Sequence, residues 1–374
     1  MPVDDAGAVT SSLDGDTAEL TTVARPLAPP IPQRPHHQAP SRRPETSTYA
    51  ALDLGTNNCR LLVARPSSDG FRVVDAFSRI VRLGEGLGAS GRLKEAAIGR
   101  TIEALKVCRS KMEARGVGRA RLIATEACRA AANGGEFIAR VREEADLELE
   151  IVDRETEAHL AVAGCAALAD SRASGVLLFD IGGGSSELVW LDGPAGRRGE
   201  LRDRVRFWTS LPVGVVTLAE RHGGVEVSRE SFERMVIEVE DMLSQFAADV
   251  AGSERCDKFH LLGTSGTVTT IAGVHLRLPR YDRRQVDGLW MHDADVETVM
   301  DQLLDMSFDQ RAANPCIGSE RADLVLAGCA ILEAIRRAFP ADRLRIADRG
   351  LREGILMELM SADGVWTSRR GRYA

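Results

Sequence analysis

The chain has 374 residues, 44% hydrophobic and 28% charged, and a net charge of −7. That length suffices for two domains with substantial cores, and the composition excludes a fibrous or wholly unstructured chain. The acidic balance argues against a general nucleic-acid binder, and no apolar run reaches the roughly 18–20 residues of a membrane helix.

Residues 1–47 hold eight of the 14 prolines and little apolar periodicity, so a disordered tail is expected there, without the apolar run of a secretory signal. Regular structure begins at Thr48. An apolar strand ends in Asp53, a loop Gly55-Thr56-Asn57-Asn58 follows, and a second strand runs from Cys59 to Val63. A third strand is predicted at 71–77, then a Gly-rich loop at 84–91 and a helix over 94–115, where Ile98, Ile102, Leu105 and Met112 recur at near-helical spacing. A strand at 121–125 and a helix at 136–145 complete a βββαβα order, and a strand at 149–152 and a helix at 155–168 follow. The opening pattern then returns. An apolar strand ends in Asp180, a loop Gly182-Gly183-Gly184-Ser185-Ser186 follows, and Glu187 opens the next strand. Further on, a long helix is predicted at 228–250, a strand at 259–263, helices at 319–338 and 351–360, and a strand at 344–347. The fold class is α/β, a mixed unit repeated twice. Domain I is expected over 48–154 and domain II over 155–349. The helix at about 350–362 is set to return to domain I, and 363–374 is a basic C-terminal tail. Seven cysteines without CxxC spacing read as reduced core thiols of a cytoplasmic protein rather than a zinc site.

The two Asp-ended loops carry the chemistry. Glycine permits positive φ and close approach of backbone N–H groups to an anion, and Thr56, Asn57, Asn58, Ser185 and Ser186 add donors. An Asp at each strand end can hold Mg²⁺ bridging phosphates. A single such hairpin is an ordinary turn; two copies a domain apart point to a phosphate cradle. Arg129, one turn past Thr125, has the planar fork that suits phosphoryl oxygens, although alone it reads equally as a solvated helix residue. Glu155 and Glu157 open a helix after a strand. A carboxylate there can deprotonate water, and the helix N-terminus is expected to lower its pKa. Acidic residues also favour first turns for stability alone. Gly263-Thr264-Ser265-Gly266-Thr267 is a further cradle at a strand-to-helix junction, or simply a helix cap.

Taken together these motifs resemble the Ppx/GppA family, the exopolyphosphatases and guanosine pentaphosphate phosphohydrolases of the actin-like ATPase superfamily. The likeness runs from about Tyr49 to Leu356. It includes Leu83-Gly84-Glu85-Gly86-Leu87, Ala124-Thr125 with Ala127 and Arg129, and Glu157-Ala158-His159-Leu160. Leu211-Pro212-Val213-Gly214, Arg321-Ala322-Asp323 and Asp348-Arg349-Gly350-Leu351-Arg352-Glu353-Gly354 extend it. The resemblance implies two actin-like (ribonuclease H-like) domains about a cleft. In it Glu157 is the general base and Arg129 contacts phosphate. Asp53, Asp180 and Glu187 surround Mg²⁺, and Gly55, Gly182, Gly183, Gly184, Gly263, Thr264, Gly266 and Thr267 help hold the phosphate chain. The implied reaction releases the terminal phosphate from polyphosphate or pppGpp, with no nucleic-acid or membrane partner; homodimers are common among relatives. Thr56-Asn57-Asn58 stands where the family commonly has Ser-Asn-Ser, and Thr156 where it has a second Glu before the base. The chain ends soon after domain II, so the helical C-terminal domains of longer members are not expected. Two rivals remain: an ATP-dependent small-molecule kinase of the same superfamily, and a non-catalytic polyphosphate or alarmone sensor.

Overall fold

The computed structural model describes residues 47–68, 70–193, 204–252 and 258–366. The expected N-terminal tail, except residue 47, and the basic stretch at 369–372 lie outside them. In chain order the first sheet's elements are β1 (Tyr49–Leu54), β2 (Asn58–Ser67), β3 (Gly70–Ile80), α1 (Leu87–Ser90), α2 (Glu95–Ala114), β4 (Arg119–Ala124), α3 (Glu126–Ala130), α4 (Gly134–Ala145) and β5 (Glu150–Ile151). Helix α5 (Arg154–Cys165) leads to β6 (Gly175–Ile181), β7 (Ser186–Asp192), β8 (Val205–Leu211), α6 (Val215–His222), α7 (Arg229–Gly252), β9 (Phe259–Thr264) and α8 (Gly266–His275). Then come α9 (Arg283–Val286), β10 (Trp290–His292), α10 (Asp293–Asp305), α11 (Phe308–Ala313), α12 (Val325–Ala338), β11 (Arg343–Ala347) and α13 (Leu351–Ala362).

The strands form two mixed sheets, ordered β3-β2-β1-β4-β5 and β10-β11-β9-β6-β7-β8. Each begins with an antiparallel hairpin whose first strand continues into parallel neighbours. This is the two-domain actin-like architecture expected from the motif order.

Strand alternation explains the layering. Ala50, Leu52 and Leu54 face one core with α2 and α4, while Tyr49 and Ala51 face the other way. In β6, Leu177, Phe179 and Ile181 join the large core with α7 and α12, whereas Val176 and Leu178 face inward. The two inward faces share one apolar core, filled by α5 and α13, which lie between the sheets. These helices cross closely. A Cβ on Gly164 would sit 2.0 Å from the Gly350 carbonyl oxygen, and one on Gly354 would sit 2.1 Å from that of Leu160.

Strands β8 and β10 and helices α1, α6, α9, α10 and α11 escaped the sequence. Strand β8 mixes Arg206 with half-buried Phe207 and Trp208, so its alternation is blurred, and β10 is only three residues long. The helix expected from 319 starts at Val325, after a turn in which Gly318 takes φ +76°. Residues 363–366, assigned to a tail, are anchored. Asp363 accepts hydrogen bonds from the Tyr49 hydroxyl (2.9 Å) and Arg119 (2.7 Å), and Val365 is buried in the inter-sheet core.

Candidate active site

Asp53 and Asp180 share parity with the inward-facing residues of β1 and β6, so both carboxylates emerge at strand ends into the space between the sheets. The two loops close alike. Gly55 N–H donates to the Asn58 carbonyl and Gly182 N–H to that of Ser185, each at 2.9 Å. The glycines serve close approach rather than positive φ, since none of Gly55, Gly182, Gly183 and Gly184 takes a left-handed conformation. A Cβ on Gly183 would lie 2.9 Å from Thr56 Cβ, and one on Gly184 would lie 2.7 Å from Thr56 Oγ1. The loops thus face one another nearly in contact across the cleft. Gly214 backs the second loop, where a Cβ would meet the Gly183 carbonyl at 2.5 Å.

The cleft holds about 120 Å³ between these loops, Glu126, Glu157, Glu187 and the start of α8. It opens into a larger cavity of about 690 Å³, which it adjoins through Asp53, Arg60, Asp180 and Arg321. Ser185, Gly266 and Thr267 line the cleft as expected from the motifs. Ser265, also on its wall, is held at φ +129°, a strained value for a residue with a side chain, and its Oγ accepts from Thr267 N–H. Other expected cradle residues are structural. Ser186 Oγ donates to the Val213 carbonyl (2.7 Å), Thr264 Oγ1 donates to that of Arg349 (2.6 Å), and Gly263 makes room for the Phe179 ring.

Glu157 sits in the first turn of α5, buried, and accepts a hydrogen bond from Arg129 Nη2 at 3.0 Å. The expected lowering of its pKa does not occur. Burial and the nearby Glu187 carboxylate push it well above the usual range, against the opposing pull of Arg129. Desolvation exceeds the helix-terminus effect because Glu157 is itself buried, where α5 turns into the inter-sheet core at Ala158. Arg129 does not line the cleft. Its fork is taken up by Glu126 (Nε 3.0 Å, Nη2 2.6 Å), the Val152 carbonyl (2.5 Å) and Glu157. Its fork is thus engaged with carboxylates and backbone, Glu157 among them. Glu126, absent from the sequence expectations, is itself held by Arg154 at 3.0 Å and faces the cleft. Among the described residues, the cleft-wall cations without an ion pair are Arg60, which stands opposite Asp53 in the β1–β2 ladder, and Arg321.

The ladder also sets Asp180 directly opposite Glu187. Burial, then the charges of Glu187 and Asp53, push Asp180 up to about 7. Glu187 is raised by burial and steadied by Ser210 Oγ at 2.9 Å. Neither Asp53 nor Asp180 receives a hydrogen bond from a described residue. The Oδ1 atoms of Asn57 and Asn58 are likewise buried without a donor among those residues. Hard oxygen acceptors crowded without donors fit a cation such as Mg²⁺, which needs only one or two carboxylates beside phosphate oxygens. The expected Asp53–Asp180–Glu187 trio does not close into a cage: among the described residues no three acidic, His or Cys side chains are placed to hold a metal by themselves.

Comparison with known proteins gives this geometry a context. The sequence matches the Ppx/GppA phosphatase family over residues 62–363. It is 28% identical over 315 residues to a guanosine-5'-triphosphate,3'-diphosphate pyrophosphatase of Aeromonas salmonicida, covering 83% of this chain and 59% of the relative. The chain thus spans about three fifths of the length of that relative. The crystal structure of the Aquifex aeolicus Ppx/GppA family member superposes with a TM-score of 0.69 at 28% identity, over 85% of this chain and 98% of the other. An exopolyphosphatase from Cytophaga hutchinsonii, at 22% identity and TM-score 0.76 over 84% and 98% of the two chains, shares the fold. The second loop, Glu157 and the helices around them fall within the matched region, the first loop lies just before it, and the chain belongs to the Ppx/GppA phosphatase family.

Proposed function

We propose that this protein is a phosphohydrolase that removes the terminal phosphate from a phosphoanhydride chain, inorganic polyphosphate or pppGpp. The observation that carries the reading is the buried Glu157 carboxylate, held by Arg129 beside the two facing loops, with its pKa raised above the usual carboxylate range by burial and by Glu187. A general base works best when its pKa lies near the working pH. Arg129 fixes its orientation, and Glu157 takes the proton of a water attacking the terminal phosphorus in line with the departing oxygen. Loop N–H groups, with Arg60 and Arg321, orient the chain and balance charge on its equatorial oxygens. Asp53 and Asp180, with Asn57 and Asn58 beside them, are the residues that would hold Mg²⁺, which when bound neutralises phosphate charge. The remainder of the substrate extends into the larger cavity, where Arg79 and Arg352 add positive charge. Six described cysteines, all free and buried, support a reducing, cytoplasmic setting.

The test is phosphate release from long polyphosphate, short polyphosphate and pppGpp, with and without Mg²⁺, by the wild type and Glu157→Gln. Loss of a general base lowers turnover by about 10²–10⁴-fold while substrate binding persists. Undiminished release by Glu157→Gln removes that residue from the mechanism. Transfer of phosphate to an organic acceptor in place of water would favour a kinase, and tight binding without release a sensor.

A further inference from the structure

Arg82 ties the two halves of the cleft together, and no motif assigns it a role. Its backbone N–H, like that of Val81, donates to the Asn57 carbonyl (3.0 and 2.9 Å), so this residue braces the first loop. Its side chain reaches across to the other half. Nη1 and Nη2 meet the two carboxylate oxygens of Asp323 at 3.0 and 3.1 Å, and Nη2 also donates to the Glu320 carbonyl at 3.1 Å. Those contacts flank Arg321, whose side chain lines the cleft. Arg82 also holds φ +49°, a left-handed value that a side chain disfavours. A second contact runs alongside, from Gly86 N–H to Glu220 Oε1 at 2.7 Å.

The segment bearing Arg321 is a turn, not a helix, and is held on its own side by buried Arg311, which donates to the Ala322 carbonyl at 3.1 Å. Without Arg82 its other side would be anchored only to the second half. We infer that Arg82 is a positioning residue. Its clasp on Asp323 and Glu320 couples closure of the cleft to the presentation of Arg321 toward the anionic substrate. A bidentate guanidinium–carboxylate pair is stronger than an ordinary surface pair, yet at 37% and 25% exposure it stays accessible to water and salt. Such a clasp closes firmly and still opens for release of product.

The kinetic arm of the test rests on the phosphohydrolase reading; the structural arm does not. Arg82→Ala, Asp323→Asn and the double variant are compared with the wild-type full chain for hydrolysis of polyphosphate and of pppGpp and by small-angle X-ray scattering in the absence of substrate. Thermal melting controls for folding, and the nearly isosteric Asp323→Asn stands in if Arg82→Ala is unstable. Each single variant should raise KM about tenfold or more, the scale of a lost charge-assisted hydrogen bond, with kcat changed far less. The double variant should lose no more than the worse single, because both remove one contact. The radius of gyration should rise in all three. A KM within twofold of wild type, a double loss equal to the product of the singles, or an unchanged radius overturns the inference. A wild type that releases no phosphate overturns the phosphohydrolase reading instead, and the scattering comparison alone then decides the clasp.

Discussion

Substituting Gly354 with alanine drives one methyl group into the crossing of α5 and α13. That Cβ would stand 2.1 Å from the Leu160 carbonyl oxygen and 2.9 Å from its carbon. Restoring an ordinary contact of about 3.5 Å forces the helices apart by more than about 1 Å. Both helices are clamped between two sheets, so overpacking should cost about 1–3 kcal/mol, offset by the roughly 1 kcal/mol that alanine gains over glycine in a helix. Because the first turn of α5 carries Glu157, the displacement also reaches the base, and a misplacement near 1 Å lowers turnover by about 10²-fold. Urea denaturation should show a lower midpoint at unchanged slope, alongside the drop in phosphate release. Gly99 in α2 is the matched control: a Cβ there meets nothing within 4 Å, so Gly99→Ala should stabilise by up to about 1 kcal/mol. If Gly354→Ala behaves like Gly99→Ala, the close-crossing argument is wrong.

Burial and like charge raise the Asp180 pKa from 3.8 to about 7, so the folded state holds this proton more tightly than the unfolded chain. Without divalent ions, stability should fall as pH rises between those values, by no more than about 4 kcal/mol, and Asp180→Asn should raise the melting temperature at pH 8 but not at pH 4. The raised pKa of Glu157, which must be deprotonated to act, places the acid limb of kcat/KM above that of an ordinary glutamate, and a pH–rate profile checks this. Arg311 is 2% exposed and donates to the carbonyls of Ala322, Met306, Gly224 and Val225, with no carboxylate partner among the described residues. Arg311→Met should therefore cost about 3 kcal/mol or more in chemical denaturation, since several buried acceptors lose charge-assisted bonds at once.

The doubled hairpin was legible because strand alternation and loop composition are local signals, and both copies keep the same hydrogen bond from the loop's first glycine. The general position of Glu157 was legible for the same reason, at a strand-to-helix junction. The direction of its pKa was not. It depends on Glu187, thirty positions away in sequence but adjacent in the cleft, and on the enclosure of α5 between two sheets. Arg129 was placed on the right helix, but the partners its fork holds in this structure were not foreseen. Glu126 lies three residues back on the same helix, whereas the Val152 carbonyl and Glu157 become neighbours only when β5 aligns beside β4. Arg60, Arg82 and Arg321 left no trace as cleft residues, because an arginine reads the same in sequence whether it faces water or the opposite half of a fold.

The position of α13 bears on the order in which the molecule can assemble. Strands β1, β2 and β4 are made early, and α2 and α4 cover one of their faces from nearby sequence. The opposite face, with Tyr49, Ala51 and Ile123, waits for Ile355, Met360 and Val365. During synthesis that apolar surface stays open while the whole second sheet is translated, a stretch in which exposed strands invite aggregation. The first sheet is thus begun before the second and finished after it, since its inward face is completed only by α13.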